Sequence, residues 1–315
     1  MQSNKNVVGI DVSKATLDYT WRPNGTAKHV ANTAQGIAKL VEHIKQIAPE
    51  IVVLEATGGY QNALVESLHQ ASLPVKVVNP RQVRDFARSL NRLGKTDALD
   101  ARTLAEYGQS RELKADRPRD ANRIALSQLL LRRRQLHDLI TIEKGHREHA
   151  SESIAAGITE LITLMGSLLK SIDTEIQGLK KRVPEFATHD AILQSIPGVG
   201  PVVSATLYAE MPELPDLNRK EVAALVGVAP FNKDSGKYRG QRHIWSGRSK
   251  VRATMYCAMR SGIIWNPVIK SWFERFRAAG KPYKVAVIAC VRKLLVVIRA
   301  MLKNGTKWDN SLHQA

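Results

Sequence analysis

Apolar and polar positions follow two rhythms along this chain. The first eighty residues carry short apolar runs. Residues 6–12 (NVVGIDV) read as a buried strand ending in a carboxylate. Residues 17–21 and 29–32 alternate as strands, joined by a turn at Pro23-Asn24-Gly25. Across residues 34–47, Ile37, Leu40, Val41, Ile44 and Ile47 recur at helical spacing. Residues 51–54 (IVVL) form a second buried run, again followed by a carboxylate, Glu55. Residues 60–71 read as a helix, 75–78 as a strand and 80–90 as a helix. The resulting order, β-β-β-α-β-α-β-α, predicts a mixed sheet with helices packed on it.

The rhythm then lengthens. Residues 111–120 are charged, contain Pro118 and read as a linker. Residues 124–142 carry Leu126, Leu129, Leu130, Leu136 and Ile140. A cleaner line follows in Ile154, Ile158, Leu161, Met165, Leu168, Ile172, Ile176 and Leu179, whose 4-3-4-3-4-4-3 spacing approaches a coiled-coil seam. Such a pair is either an intramolecular hairpin or a dimer seam, and Pro184 ends it. The last third reads as all-helical with loops at 211–218 and 231–244, and its core is expected to take Trp265 and Trp272. Three segments follow: 1–112, 113–185 and 186–315.

Charge adds a partner. The chain of 315 residues has a formal net charge of +18. Residues 233–303 alone hold seventeen Lys and Arg against two acids, Asp234 and Glu274. That asymmetry points to a polyanion. Cys257 and Cys290 are the two cysteines, with no Cys-x-x-Cys spacing, which excludes a zinc ribbon and a disulfide scaffold. The apolar stretch 285–302 is broken by Arg292, Lys293 and Arg299, and the N-terminal residues form no signal peptide. A soluble, cytoplasmic protein with no membrane contact is expected. No Gly-x4-Gly-Lys-Ser/Thr motif is present.

Four carboxylates stand out. Asp11 and Glu55 each end an apolar strand, where ligands of open α/β sheets collect. Asp97 and Asp100 are three apart, which on a helix puts both on one face. Together they would make a hard oxygen site suited to Mg²⁺. Taken singly, Asp97 also reads as a helix cap and Asp11 as a turn initiator. Ser235 lies in a loop beside Lys237, Arg239 and Arg242. Asp234-Ser235-Gly236 reads first as a turn, and as a nucleophile if the arginines stabilise its alkoxide. Residues 195–200 (SIPGVG) sit between helical stretches like the hairpin of a helix-hairpin-helix, where Gly198 and Gly200 let backbone N–H groups approach a phosphate. Trp245 is placed to stack on a base. Tyr60, after Thr57-Gly58-Gly59, is expected to pack at a helix start.

Taken in order, GIDVSK, LEATGGY, NP, KTDALDA, SIPGVG and LVGVAPFNKDSGKYRGQRHI, then GR and VR, resemble the DEDD-type insertion-sequence transposases, also described as bridge-RNA-guided recombinases. The resemblance covers almost the whole chain. It implies a RuvC-like, ribonuclease-H-type α/β N-terminal domain, a coiled-coil segment and an all-α C-terminal transposase domain with a helix-hairpin-helix. It also implies that Asp11, Glu55, Asp97 and Asp100 bind Mg²⁺ and that Ser235 forms a phosphoserine link to DNA. Arg248 and Arg252 fall in the GR and VR motifs and join Gly198, Gly200, Lys237, Arg239 and Arg242 as expected nucleic-acid contacts. Family members work as dimers pairing into tetramers, with donor and target DNA and a non-coding guide RNA, which places this protein with the nucleoid. Ser246 stands where two glycines are expected before the arginine, so Ser246 and Ser249 are rival hydroxyls. Two other readings stay open on the residues: a RuvC-like nuclease that cuts branched DNA with no covalent intermediate, and a non-catalytic nucleic-acid-binding protein.

Overall fold

A computed structural model describes residues 5–92, 97–118, 120–231, 234–235, 238–240 and 242–311; for 97, 98, 234, 235, 238 and 239 it describes the backbone alone. The chain divides into two compact units, Met1–Pro118 and Arg119–Ala315.

In the first unit, β1 (Val7–Val12), β2 (Thr16–Arg22), β3 (Lys28–Ala31), β4 (Ile51–Glu55) and β5 (Val75–Val78) form one sheet in the order β3-β2-β1-β4-β5. The β1–β2 and β2–β3 pairs are antiparallel, whereas β1–β4 and β4–β5 are parallel. The mixed sheet expected from the sequence is therefore present. Alternation sorts its side chains onto two faces. Val8, Ile10, Leu17, Tyr19, Val52 and Leu54 pack with α1 (Ala34–Ile47) and α2 (Asn62–Gln70). Val7, Ile51, Val53 and Val78 pack with α3 (Pro80–Ser89) and α4 (Asp97–Gln109). The Thr33 side chain accepts from Gly36 N to cap α1, and Asn79 with Pro80 starts α3.

Helix α4 crosses the sheet backbone to backbone. A Cβ on Gly9 would stand 2.3 Å from both Ala101 O and Ala105 N. One on Gly108 would meet methyl groups of Val7 and Val53 at 2.6 and 2.9 Å. Gly108 therefore lies over the start of β1 and Ala101 over its middle, so α4 runs antiparallel to β1 and its first turn points to the strand's C-terminal end. The segment after α4 returns to the sheet. Asp116 N donates to Val75 O, and its carboxylate accepts from Val77 N and from Lys76 Nζ at 2.8 and 2.6 Å.

The second unit begins with the long helices α5 (Ala121–Glu148) and α6 (Glu152–Arg182). They pack antiparallel across a three-residue turn and bury Leu126, Leu136, Met165, Ile172, Ile176 and Leu179. Nearer the turn, Ile154, Leu161 and Leu168 of the same line are exposed. Among the described residues, α6 alone is long and apolar enough to cross a membrane, a length the sequence reading overlooked by weighing only residues 285–302. Helices α7 (Pro184–Leu193), α8 (Pro201–Glu210), α9 (Arg219–Val226), α10 (Ser249–Trp265), α11 (Pro267–Ala278) and α12 (Tyr283–Asn304) complete the unit. Buried along α12 are Ala286, Val287, Cys290, Val291, Leu294, Leu295 and Ile298. A buried arginine ties α5 to α7 and α8: Arg123 meets Glu185 at 2.7 Å, Asp120 at 3.0 Å and the Tyr208 ring at 3.8 Å. Burial, the largest influence, pushes the Tyr208 hydroxyl up to about 12.

Two sequence expectations for this unit change. It is not purely α: β6 (Pro230–Phe231) pairs with β9 (His243–Ile244), and β7 (Asp234–Ser235) with β8 (Tyr238–Arg239). The stretch has no apolar stripe to bury as a helix, so its backbone groups pair with one another instead. Trp272 is buried as expected, but Trp265 is 74% exposed. Helix α10 ends at Trp265, because Asn266-Pro267 starts α11 and turns the chain there.

Candidate active site

Three elements of the first unit meet at one sheet edge. The β1–β4 register aligns Ile10 with Leu54, so the next residues, Asp11 and Glu55, stand side by side at the C-terminal ends of adjacent parallel strands. Alternation puts both on the face that α4 covers. The first turn of α4, which carries Asp97 and Asp100, points to the same edge. Among the described residues, no three His, Cys, Asp or Glu side chains form a group that could hold a metal. The Asp97 side chain lies outside the described residues. The register thus brings two carboxylates, Asp11 and Glu55, to one sheet edge.

The sequence reading missed two neighbours. Asp18 pairs directly with Asp11 across β1–β2 and so shares its face, and His29 pairs with Asp18 in turn. The signal was present: Leu17 and Tyr19 point to the opposite core, which fixes Asp18 on the carboxylate side. Asn32 staples the loops beyond the strands, its side-chain amide donating to Ser13 O at 2.8 Å and to Tyr60 O at 3.4 Å. Gln61 Oε1 accepts from Thr57 N, Thr57 Oγ1 and Gly59 N, shaping a turn in which Gly58 has φ +68° and Gly59 φ +120°. Tyr60, expected to pack at the helix start, is half exposed there. At the other side, Arg92 holds α4 through Glu106 at 2.6 Å. Burial raises the Glu106 carboxyl, but the hydrogen bond and charge of Arg92, with Arg102 and Arg22, outweigh it and leave the group below its ordinary value.

In the second unit, Ser235 stands on β7, its backbone paired with Tyr238. Its side chain and that of Arg239 are not described, and Lys237 lies outside the described residues. Arg242 is exposed. Phe231 and Trp245 pack edge to face at 6.4 Å and are about half exposed.

The arm carrying Ser235 has a fixed base. Arg252 Nη1 donates to Val226 O at 3.0 Å and to Ser246 O at 2.6 Å. A Cβ on Gly227 would lie 2.1 Å from Ser246 O, and one on Gly247 2.4 Å from Gly227 N. Ser246 itself has φ +64°, a left-handed backbone that favours glycine. Arg248 donates to Glu210 O and pairs with Glu213 at 2.5 Å. Arg248 and Arg252 thus bond inside the protein. Ser249 is exposed at the start of α10.

The turn between α7 and α8 is equally built in. Gly198 has φ +95°, and a Cβ there would stand 2.6 Å from Gly262 Cα, so this glycine lets the turn sit on α10. Asn266, fully buried, donates to Pro197 O at 3.3 Å. Gly200 has nothing within 4 Å of its Cβ position.

Comparison with known proteins converges on one family. Residues 8–149 match the DEDD transposases of IS110 type, and residues 190–274 match the transposase IS116/IS110/IS902 family. The chain is 26% identical to the pilin gene-inverting protein of Moraxella lacunata, over 99% of this chain and 100% of that protein. It is 30% identical to the insertion element IS900 uncharacterized 42 kDa protein of Mycobacterium paratuberculosis, over 50% of this chain and 41% of that one. It is 21% identical to the transposase for insertion sequence element IS1111A of Coxiella burnetii, over 63% of this chain and 62% of that protein. The five-stranded mixed sheet is compatible with the RuvC-like fold that the DEDD domain implies. The chain belongs to the IS110 family of DEDD transposases and is a DNA transposase of that family.

Proposed function

We propose that this transposase is an RNA-guided recombinase that cuts and rejoins DNA through a phosphoserine at Ser235, with Mg²⁺ held by Asp11, Glu55, Asp97 and Asp100. The observation that carries the reading is the register that sets Asp11 beside Glu55 at the sheet edge to which α4 points its first turn. A bound Mg²⁺ would supply charge stabilisation at the phosphodiester oxygens. The Ser235 oxygen forms a bond to phosphorus and gives up its proton. The bond from phosphorus to the 3′ oxygen breaks, and that strand leaves as a 3′-hydroxyl. Rejoining is the reverse step on an exchanged 3′-hydroxyl, so the phosphoserine conserves the bond energy and no nucleotide is consumed.

Lys237, Arg239 and Arg242, on the arm with Ser235, would grip the phosphate. Arg248 and Arg252 serve by fixing the base of the arm. Gly200, open at the start of α8, is the better placed of the two hairpin glycines for a backbone phosphate contact. The exposed apolar line on α5 and α6 supports a homodimer that assembles to a tetramer, acting on donor and target DNA at the nucleoid. Pairing by a guide RNA leaves the protein to hold backbone.

The test is a protein–DNA adduct that survives denaturant and requires Mg²⁺. Ser235→Ala abolishes it, while Ser246→Ala and Ser249→Ala keep it. An adduct and recombination persisting in Ser235→Ala overturn the serine route. Sequencing RNA that co-purifies with the protein tests guidance.

A further inference from the structure

We infer that Trp265, with Ile264 and Pro267, forms a preset wedge that inserts at a distorted base step of DNA. The inference rests on the reading of the second unit as a nucleic-acid-binding body. Trp265 is 74% exposed and Ile264 68% exposed, in the last turn of α10, and Pro267 is exposed one residue beyond the buried Asn266. Three bulky apolar groups thus stand in solvent at one bend.

The bend is rigid. Asn266 caps α11, its side-chain oxygen accepting from Val268 N and Ile269 N at 3.0 and 3.2 Å, and its amide donates to Pro197 O. One turn earlier, Gly262 lies against Gly198. The wedge is therefore held against the 195–200 hairpin, and little conformational entropy remains to be lost when it engages.

The surroundings select the occupant. Arg260 shares a helix face with Ile264, four residues on, and Lys270 follows Pro267 by three; both are exposed. Residues 248–307 hold fourteen Lys and Arg and one acid, Glu274. A stable protein partner would bury roughly 800 Å² of surface on each side, far more than one bend supplies. A tip of three side chains flanked by cations matches instead the apolar wedges that unstack a DNA step while basic residues hold its phosphates. Single-stranded RNA readers present flat aromatic platforms, whereas an aliphatic group and a proline flank the indole here.

The experiment uses the full chain and three probes: a paired duplex, the same duplex with one mispaired pyrimidine–purine step, and an RNA hairpin. Affinities are read by fluorescence anisotropy at fixed salt. Wild type prefers the mispaired duplex. Trp265→Ala loses about tenfold on that probe and little on the paired one, and Trp265→Phe keeps most of the affinity. The exposed site leaves thermal unfolding of both variants within about 2 °C of wild type. Equal affinity of wild type and Trp265→Ala for the mispaired duplex overturns the wedge, as does a loss confined to the RNA hairpin. An altered sedimentation coefficient with unchanged DNA affinity overturns it in favour of a protein contact. If wild type binds none of the probes, the nucleic-acid reading of the unit falls as well.

Discussion

Gly9→Ala is the most direct test of how α4 is seated. The added methyl would meet two backbone atoms, Ala101 O and Ala105 N, each at 2.3 Å, where ordinary contact begins near 3.4 Å. Neither atom can rotate away, so α4 must retreat by about 1 Å. Overpacking of this kind costs roughly 1–3 kcal/mol, and the backbone contact puts Gly9→Ala at the upper end. For a unit of this size that is a fall of roughly 10 °C in melting temperature. The same retreat draws the Asp97–Asp100 turn from Asp11 and Glu55, and a misplacement of about 1 Å costs on the order of a hundredfold in rate. Gly108→Ala is the control. Its methyl meets side-chain methyls of the buried Val7 and Val53 rather than backbone, at the end of β1 away from the carboxylates. Calorimetry and a Mg²⁺-dependent strand-exchange assay should show both losses in Gly9→Ala and a smaller loss of stability alone in Gly108→Ala. If Gly9→Ala melts like wild type and exchanges strands at the wild-type rate, the seating of α4 described above is wrong.

Three further outcomes are expected. Ser246→Gly relieves a left-handed backbone worth roughly 1 kcal/mol, partly offset by glycine's entropy, and should raise the unfolding midpoint slightly without loss of the serine adduct; a lower midpoint contradicts it. Because the folded Glu106 carboxyl is depressed, its contribution is full above the ordinary carboxyl range and fades as pH falls through the folded value. Glu106→Gln should therefore be less stable than wild type at pH 7, by roughly 1.5–3 kcal/mol, and the gap should close in acid titrations. DNA affinity should fall by about five log units per tenfold rise in salt if six phosphates are neutralised, and a flat response in a salt titration argues against the basic segment as the grip.

Much of the first unit was legible because its strands are continuous apolar runs and α1 carries a full amphipathic stripe. The carboxylate edge could be read too, since a charge directly after a buried strand needs a reason. Helix α4 was harder: it docks through Ala101, Ala105 and Gly108 onto Gly9, and small residues leave a weak hydrophobic stripe. The basic segment misled in a different way. Composition counts Arg248 and Arg252 as free charge, but both bond to carbonyl groups, and Arg248 also pairs with Glu213, inside the fold. An indole reads as a core residue, yet the helix break after Trp265 leaves it 74% exposed.

Asp116 carries a consequence for where the first unit can be cut. Strand β5 is an edge strand, and open edges template association with other chains. The Asp116 backbone and carboxylate occupy the Val75 carbonyl and the Val77 amide, and Leu113 adds apolar cover beside Val78 and Val83. A fragment ending at residue 112, where sequence places the boundary, discards this cover and leaves β5 sticky. One ending at Pro118 retains it, so six residues that look like connector act as the selvedge that keeps the sheet from fraying into aggregates.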